Sequence, residues 1–453
     1  MSWRRQSSAA SRIHAPPPSF AARGAIKGDV CWPDAIHRTP VGVAAFCHAY
    51  LPHIPQLNSI TRDFSPSRSE FTTNGACVLV GRCDFGVQGT QRVHPNQKLE
   101  NIVQISGILI RSVRLASVLI PLLAAAATVR AAEPFVVTAS NATANQLLVY
   151  SPNGKLLQTL STKGTGGATG NAGGVQSRDG LVAVVNFGSK SVSIFHVSNN
   201  GLELSQVVPT VANPVSVAFG GNHLYVLGHE QVESHPIFVN FVGGPDGVSN
   251  LSVADGSAAQ VGFLNNQIVV TEKSNVIETF NLRPDGAVGG NATQVQGVPP
   301  AIGSPSANEP FGLVTRGNDA YVTIAHLNEL ALVRNDAIIS SGSTNPENAP
   351  CWATLTGPFL YTSNTASMNL SRFVVYGQHI VLDQAIAATF TGNPTDNASG
   401  EGLVAAIDGV AGSNPVLSHL SIFNRDEDGN LTPSAVIPIP GTINGVAVVP
   451  SRF

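Results

Sequence analysis

Only 12% of this 453-residue chain is charged, so any place where a carboxylate, an ammonium group and imidazoles gather is informative. Glu272 and Lys273 are adjacent, His229 stands beside Glu230, and His326 follows the β-rich run AYVTI. A carboxylate or imidazole activates water as a general base, and a cation or donor holds a developing oxyanion. In that scheme Glu272 or His229 is the base, Lys273 the electrostatic partner and His326 a second acid/base. Asn186, Asn364 and Glu309 offer hydrogen bonds to a bound molecule and Trp352 an aromatic wall. The alternative is that these are solvated loop ends, with Glu272 and Lys273 a surface pair worth little.

Other residue patterns carry less chemistry. His229-Glu230-Gln231-Val232-Glu233, with His235 nearby, is close to a helical zinc-protease motif, but its context is strand and loop, and that motif needs one helix face. Asp426, Asp428 and Asn430 alternate like calcium ligands, yet Gly429 falls too early for a calcium loop and a hairpin accounts for the run. Gly164 to Gly174 is glycine-rich but opens no helix, so it reads as a flexible connection and not a phosphate cradle. Cys351, beside Trp352, reads as buried packing. No metal and no cofactor is expected.

The elements that would position these residues are short strands. LVAVV, VSIFHV, HLYVL, QIVVT, AYVTI and FLYTS are β-rich runs, and no segment sustains a helical period. One turn recurs, ending at Gly154, Gly201, Gly247, Gly286, Asp336, Gly377 and Gly429. Asn-Gly and Asp-Gly supply the positive φ of tight hairpins, and the mean spacing of about 46 residues matches a four-stranded propeller blade. Short strands of small or apolar residues open the units at Val175, Pro214, Ala259, Pro310, Pro350, Gly402 and Asn444. The first turn has no such strand before it and the last strand no turn after it. Ring closure explains both, because the C-terminal strand completes the blade begun by Phe135 to Leu160 and removes an open edge. The fold expected is all-β, a seven-bladed β-propeller with its C-terminal strand closing the first blade. A linear solenoid would not need complementary ends. Phe187, Phe219, Phe263, Phe280, Phe373 and Phe423 recur at strand positions and read as core between blades.

The chain divides in charge. Up to Ala132 there are 14 basic and 6 acidic residues, net +8; beyond it there are 11 and 22, net −11. Across the boundary, Arg111 and Arg114 precede an apolar run from Leu115 to Val129 and then small residues, the three parts of a secretory signal. The run is broken by Pro121 and is too short for a membrane span. Residues 1–106 show no sustained period of 2 or 3.6, so we expect a disordered or mispredicted extension over 1–106, a signal peptide over 107–131 and the propeller over 132–453. Six Asn-x-Ser/Thr acceptors, at Asn141, Asn250, Asn291, Asn369, Asn397 and Asn430, read as glycan sites on exposed loops of a secreted protein.

Val185-Asn186-Phe187-Gly188-Ser189-Lys190-Ser191-Val192-Ser193-Ile194-Phe195 resembles the blade signature of the lactonase-type seven-bladed propellers, which include bacterial 6-phosphogluconolactonase and fungal carboxymuconate cyclases. Val270-Thr271-Glu272-Lys273, Glu309-Pro310-Phe311-Gly312 and Ala349-Pro350-Cys351-Trp352 are similar to stretches of secreted lactonase-like members. The resemblance spans Phe135 to Val449. It implies the propeller fold and hydrolysis or isomerisation of a small lactone or carboxylate without metal. Catalytic members carry a Pro-His-x-His motif on an inner strand; here Pro214 is followed by Val215, Ser216 and Val217. The leading expectation is a secreted, monomeric, lactonase-like propeller acting on a small molecule, with no nucleic-acid partner and no stable membrane span. Its alternative is a non-enzymatic extracellular propeller that binds a ligand, glycan or protein. The net −11 offers no general attraction for anions.

Overall fold

The computed structural model describes residues 133–450 apart from Asn240, Ala411, Asn414 and Pro415. The expected extension and signal peptide, 1–106 and 107–131, lie outside the described residues.

Seven antiparallel sheets, each built on a four-strand path, follow one another along the chain. The inner strands are Val175–Arg178, Pro214–Gly220, Ala258–Leu264, Pro310–Arg316, Pro350–Thr356 and Asn393–Gly400 for blades 2 to 7, and Asn444–Val449 for blade 1. That last strand pairs with Phe135–Ala139, Val137 opposite Ala447, so the two ends of the propeller share one sheet as the turn count predicted. Blade 3 adds the two-residue strand Phe241–Val242.

Six of the seven turns read from the sequence are the hairpin between a blade's third and outer strands; in blade 3 the turn ending at Gly247 follows the added strand Phe241–Val242 and leads into the outer strand Gly247–Asn250. Two of them receive a bond from the blade before: the Tyr225 hydroxyl donates to the Gly286 carbonyl at 2.8 Å, and that of Tyr361 to the Gly429 carbonyl at 2.6 Å. One marker was misplaced. Gly402-Leu403-Val404 belongs to the second strand of blade 7, Leu403–Val410, and the inner strand is Asn393–Gly400. Its sequence, NPTDNASG, is polar, so a search for small and apolar residues passes over it.

Seven apolar clusters hold the ring, one at each blade-to-blade interface. Blades 1 and 2, for example, meet through Val137, Leu147 and Val149 against Val182, Val184 and Phe195. Residues that alternate along a strand serve the two interfaces in turn, which is what period 2 supplies. The recurrent phenylalanines do this work: Phe280, Phe373 and Phe423 are buried, and Phe187, Phe219 and Phe263 pack partly buried against the same clusters. Among the described residues no helix is long and apolar enough to cross a membrane.

Three of the six glycan acceptors, Asn250, Asn291 and Asn430, are exposed. Asn369 and Asn397 are not, which corrects the expectation for them. Asn369 gives its amide to Glu347 and Asn397 gives its amide to the Ser363 hydroxyl at 2.7 Å, both inside the blades. Asn141 is spent on the glycine-rich segment described next.

Candidate functional site

The second strands of blades 2, 4 and 6 end in Asn186, Glu272 and Asn364, and the three occupy one structural position. Each pairs with the first residue of the third strand, Ser191, Val276 or Asn369. The side chain then faces the residue two places further on. Asn186 donates to Ser193 Oγ at 2.8 Å and Asn364 to Ser371 Oγ at 2.7 Å. Glu272 has Glu278 there. All three are fully buried, so Asn186 and Asn364 do not line a funnel and Glu272 is not an accessible base. The repeat that made these residues look like a shared functional ring is a shared packing position.

The Glu272 pKa is pushed up to about 9, chiefly by burial, with the negative charges of Glu278 and Asp255 adding to it. Neither of its oxygens meets a donor at hydrogen-bonding geometry. Glu278 accepts the Ser252 N–H at 3.2 Å. Burial raises the Glu278 pKa as well, so the two neighbouring carboxyls share a proton as a buried pair.

Lys273 and Trp352 are buried under a segment that the sequence presented as a flexible connection. Residues 164–174, between blades 1 and 2, cross the mouth of the central channel and close it. Lys273 Nζ donates to the Gly170 carbonyl at 2.8 Å and lies 5.7 Å from the centre of the Phe311 ring. Trp352 packs edge-on against Phe311 and donates its Nε1–H to the Asn171 carbonyl at 3.2 Å. Ala172 N–H bonds to the Ala259 carbonyl at 3.1 Å, Val217 N–H to the Gly173 carbonyl at 3.0 Å, and Gly173 N–H to Asp396 at 3.2 Å. Asn141 clamps the near end, accepting from Gly167 and Ala168 N–H and donating to the Ala168 carbonyl. Glycine is required by contact: a Cβ on Gly166 would lie 2.4 Å from the Asn141 backbone. The segment is a plug bonded to several blades.

His229 is half-buried against Phe187, and its pKa is lowered by burial and then by the neighbouring charge of Lys273. It is a neutral imidazole beside a cation that is committed to the plug. His326 and Glu309 are brought together, Nε2 to carboxylate 2.8 Å, with Glu309 buried and His326 42% exposed. The Glu309 hydrogen bond raises the His326 pKa against the effect of burial. Cys351 is fully buried, packed with Phe311, Ala325 and Trp352 as the packing reading expected. Glu233 accepts the Val211 N–H and sits 3.6 Å from the buried His235, which makes that sequence motif a structural anchor. Asp426 caps its own hairpin through Asn430 N–H at 2.7 Å, as the turn reading expected.

Below the plug the channel stays open as a cavity of about 520 Å³, lined by the inner strands of all seven blades. Its lining runs from Gln176, Gln260, Asp396 and Val446 at the plug end to Arg178, Phe219, Phe263, Leu355, Ser399 and Pro450 at the opposite end, beside the turns that join inner and second strands. It is a blind pocket entered from the face opposite the plug. The Asp396 pKa is pushed up to about 7 by burial, partly offset by backbone N–H bonds from Asn397, Gly173 and Val446. The sequence reading missed these residues. Asp396 lies on the inner strand that was misassigned, and Gln176 and Gln260 stand in inner strands that were noted only for their apolar residues.

No known protein family and no curated protein matches the sequence. Solved structures do match. The periplasmic gluconolactonase of Pseudomonas aeruginosa covers 70% of this chain with 99% of its own, at TM-score 0.51 and 14% identity. A functionally unknown protein from Desulfotomaculum acetoxidans does so over 70% and 99%, at TM-score 0.51 and 12% identity. The chain has the fold of the lactonase-type propellers. At these identities the likeness is one of fold, and the roles of residues in this lactonase-like propeller rest on its own geometry.

Proposed function

We propose that this lactonase-like propeller is a binding protein that holds a small molecule in its central channel. The observation that carries the reading is the blind cavity of about 520 Å³, within the ~300–1,000 Å³ of small-molecule sites and lined by polar groups at its closed end. Hydrolysis by Glu272, Lys273 and a histidine would need the three to converge in a pocket. Glu272 is turned into its blade and Lys273 is tied to the plug, so the non-enzymatic alternative is favoured. The test is a thermal-shift screen of small sugars, polyols, lactones and carboxylates against the chain and its Ser399→Trp variant, which fills the channel mouth. The expected result is a stabilising compound whose effect disappears in Ser399→Trp; a shift that persists there would overturn the reading.

One observation favours a second reading, lactone hydrolysis on the plugged face. His326 is half-exposed and held by the buried Glu309 at 2.8 Å, an orientation suited to a general base. Turnover of a lactone that is lost in His326→Ala and kept in Ser399→Trp would support it. Export is proposed for either case, supported by the basic, apolar and small-residue parts of 107–131.

A further inference from the structure

We propose that Asn250 and Asn291, alone of the six Asn-x-Ser/Thr acceptors, carry N-linked glycans, side by side on the outer wall of blades 3 and 4. This rests on the proposed export of the chain. An acceptor needs an asparagine amide that can leave the surface and a hydroxyl two residues on. Asn250, with Ser252, ends the outer strand Gly247–Asn250 of blade 3, and Asn291, with Thr293, leads into the outer strand Thr293–Gln294 of blade 4. These are the two shortest outer strands of the ring, four and two residues against six to eleven elsewhere, so both acceptors lie where regular pairing gives way to loop. Both are exposed, and neither side chain makes a hydrogen bond among the described residues. The two sequences are neighbours: the Ser249 hydroxyl donates to the Gly290 carbonyl at 3.0 Å, and the Gln294 amide to the Ser252 hydroxyl at 3.2 Å. The space beside them is open, since a Cβ on Gly290 would meet nothing within 4 Å.

Burial and bonding remove the other four. The amide nitrogens of Asn369 and Asn397 are turned into the blades, towards Glu347 and the Ser363 hydroxyl. A glycan is bulky and solvated, so the folded chain has no room for one at either position. Asn141 Nδ2 donates to the Ala168 carbonyl at 2.8 Å, inside the clamp on the plug. Asn430 is exposed, but its Nδ2 donates to Asp426 at 3.0 Å and its Oδ1 accepts from Arg372 at 3.0 Å, which ties the blade 7 hairpin to itself and to blade 6. The covalent step is a transfer from an oligosaccharide carried on a lipid pyrophosphate. The asparagine Nδ2 attacks the anomeric carbon, the new N–C bond forms, the bond from that carbon to the pyrophosphate oxygen breaks, and the lipid pyrophosphate leaves as the amide gives up one proton. On the outer wall the two glycans leave the channel mouth and the plug uncovered.

The experiment is expression of the full chain in a eukaryotic secretory host, with glycans released from the secreted protein by a peptide-N-glycosidase in heavy-oxygen water. Release turns each glycosylated asparagine into a heavy-labelled aspartate, which mass spectrometry of the six acceptor peptides reads. The expected result is label at Asn250 and Asn291 and at none of the other four. Asn250→Gln and Asn291→Gln should each lose one glycan by gel mobility and together lose both, with unfolding curves that match the deglycosylated parent. Either position bare in the secreted protein would overturn the pair and leave export standing. Label at Asn141, Asn369, Asn397 or Asn430 would overturn the selection by burial and bonding. A chain that stays inside the cell and carries no glycan would overturn export, and the glycans with it.

Discussion

Glu272 shows what burial does to a residue chosen for its chemistry. A carboxyl with a folded pKa near 9 is protonated in the native state and ionises in the unfolded chain near its ordinary value of 4.5. Its contribution to stability is fully present below pH 4.5 and is lost as pH rises towards 9. Glu272→Gln keeps a donor for Glu278 and removes that loss. The variant is expected to be about 1–3 kcal/mol more stable than the parent at pH 8.5, with the gap closing near pH 4.5, by denaturant unfolding at both pH values. His326 has the opposite charge logic. Its raised pKa means that the Glu309 pair stabilises the fold below pH 6.5, and that this stability is lost as pH rises through the folded value. In Glu309→Gln the imidazole titration followed by NMR should move to lower pH; an unmoved titration would mean that the 2.8 Å pair does not form in solution.

At the scale of elements, strands and hairpins were legible because their signals are local. Period 2 and the Asn-Gly and Asp-Gly turns are properties of a few adjacent residues, and each turn fell between a third and an outer strand. The plug was not legible. Its glycines carry no pattern beyond composition, and the bonds that fix it come from Lys273, Trp352, Asp396 and Asn141, residues up to 223 positions away. The same blindness turned Asn186, Glu272 and Asn364 into candidate ligand groups, because sequence gives a repeat position but not which way its side chain points. If the plug is integral, Asn141→Ala, which removes three hydrogen bonds, should cost about 2–3 kcal/mol. Gly166→Ala, which drives a Cβ into backbone, should cost about 1–3 kcal/mol. Both are read by denaturant unfolding, and neutral outcomes would show a plug that moves freely.

At the scale of the molecule, the ring is closed by a single strand. Val446 and Val448 pack in the cluster between blades 7 and 1, while Ala447 and Val449 pack in the cluster between blades 1 and 2. Truncation before Ile443 would strip both interfaces and expose the edge of Phe135–Ala139. The expected outcome is loss of cooperative unfolding, with aggregation seen by light scattering. This architecture also fixes the route to the channel, since the plug seals one face and leaves the other. The most direct test is mass-spectrometric labelling of a thiol placed at the blind end, Gln176→Cys, with a small methanethiosulfonate reagent. The peptide carrying position 176 should be modified in that variant and protected when Ser399→Trp is added. Labelling that is undiminished by Ser399→Trp would mean that the reagent arrives through the plugged face, and would contradict the account.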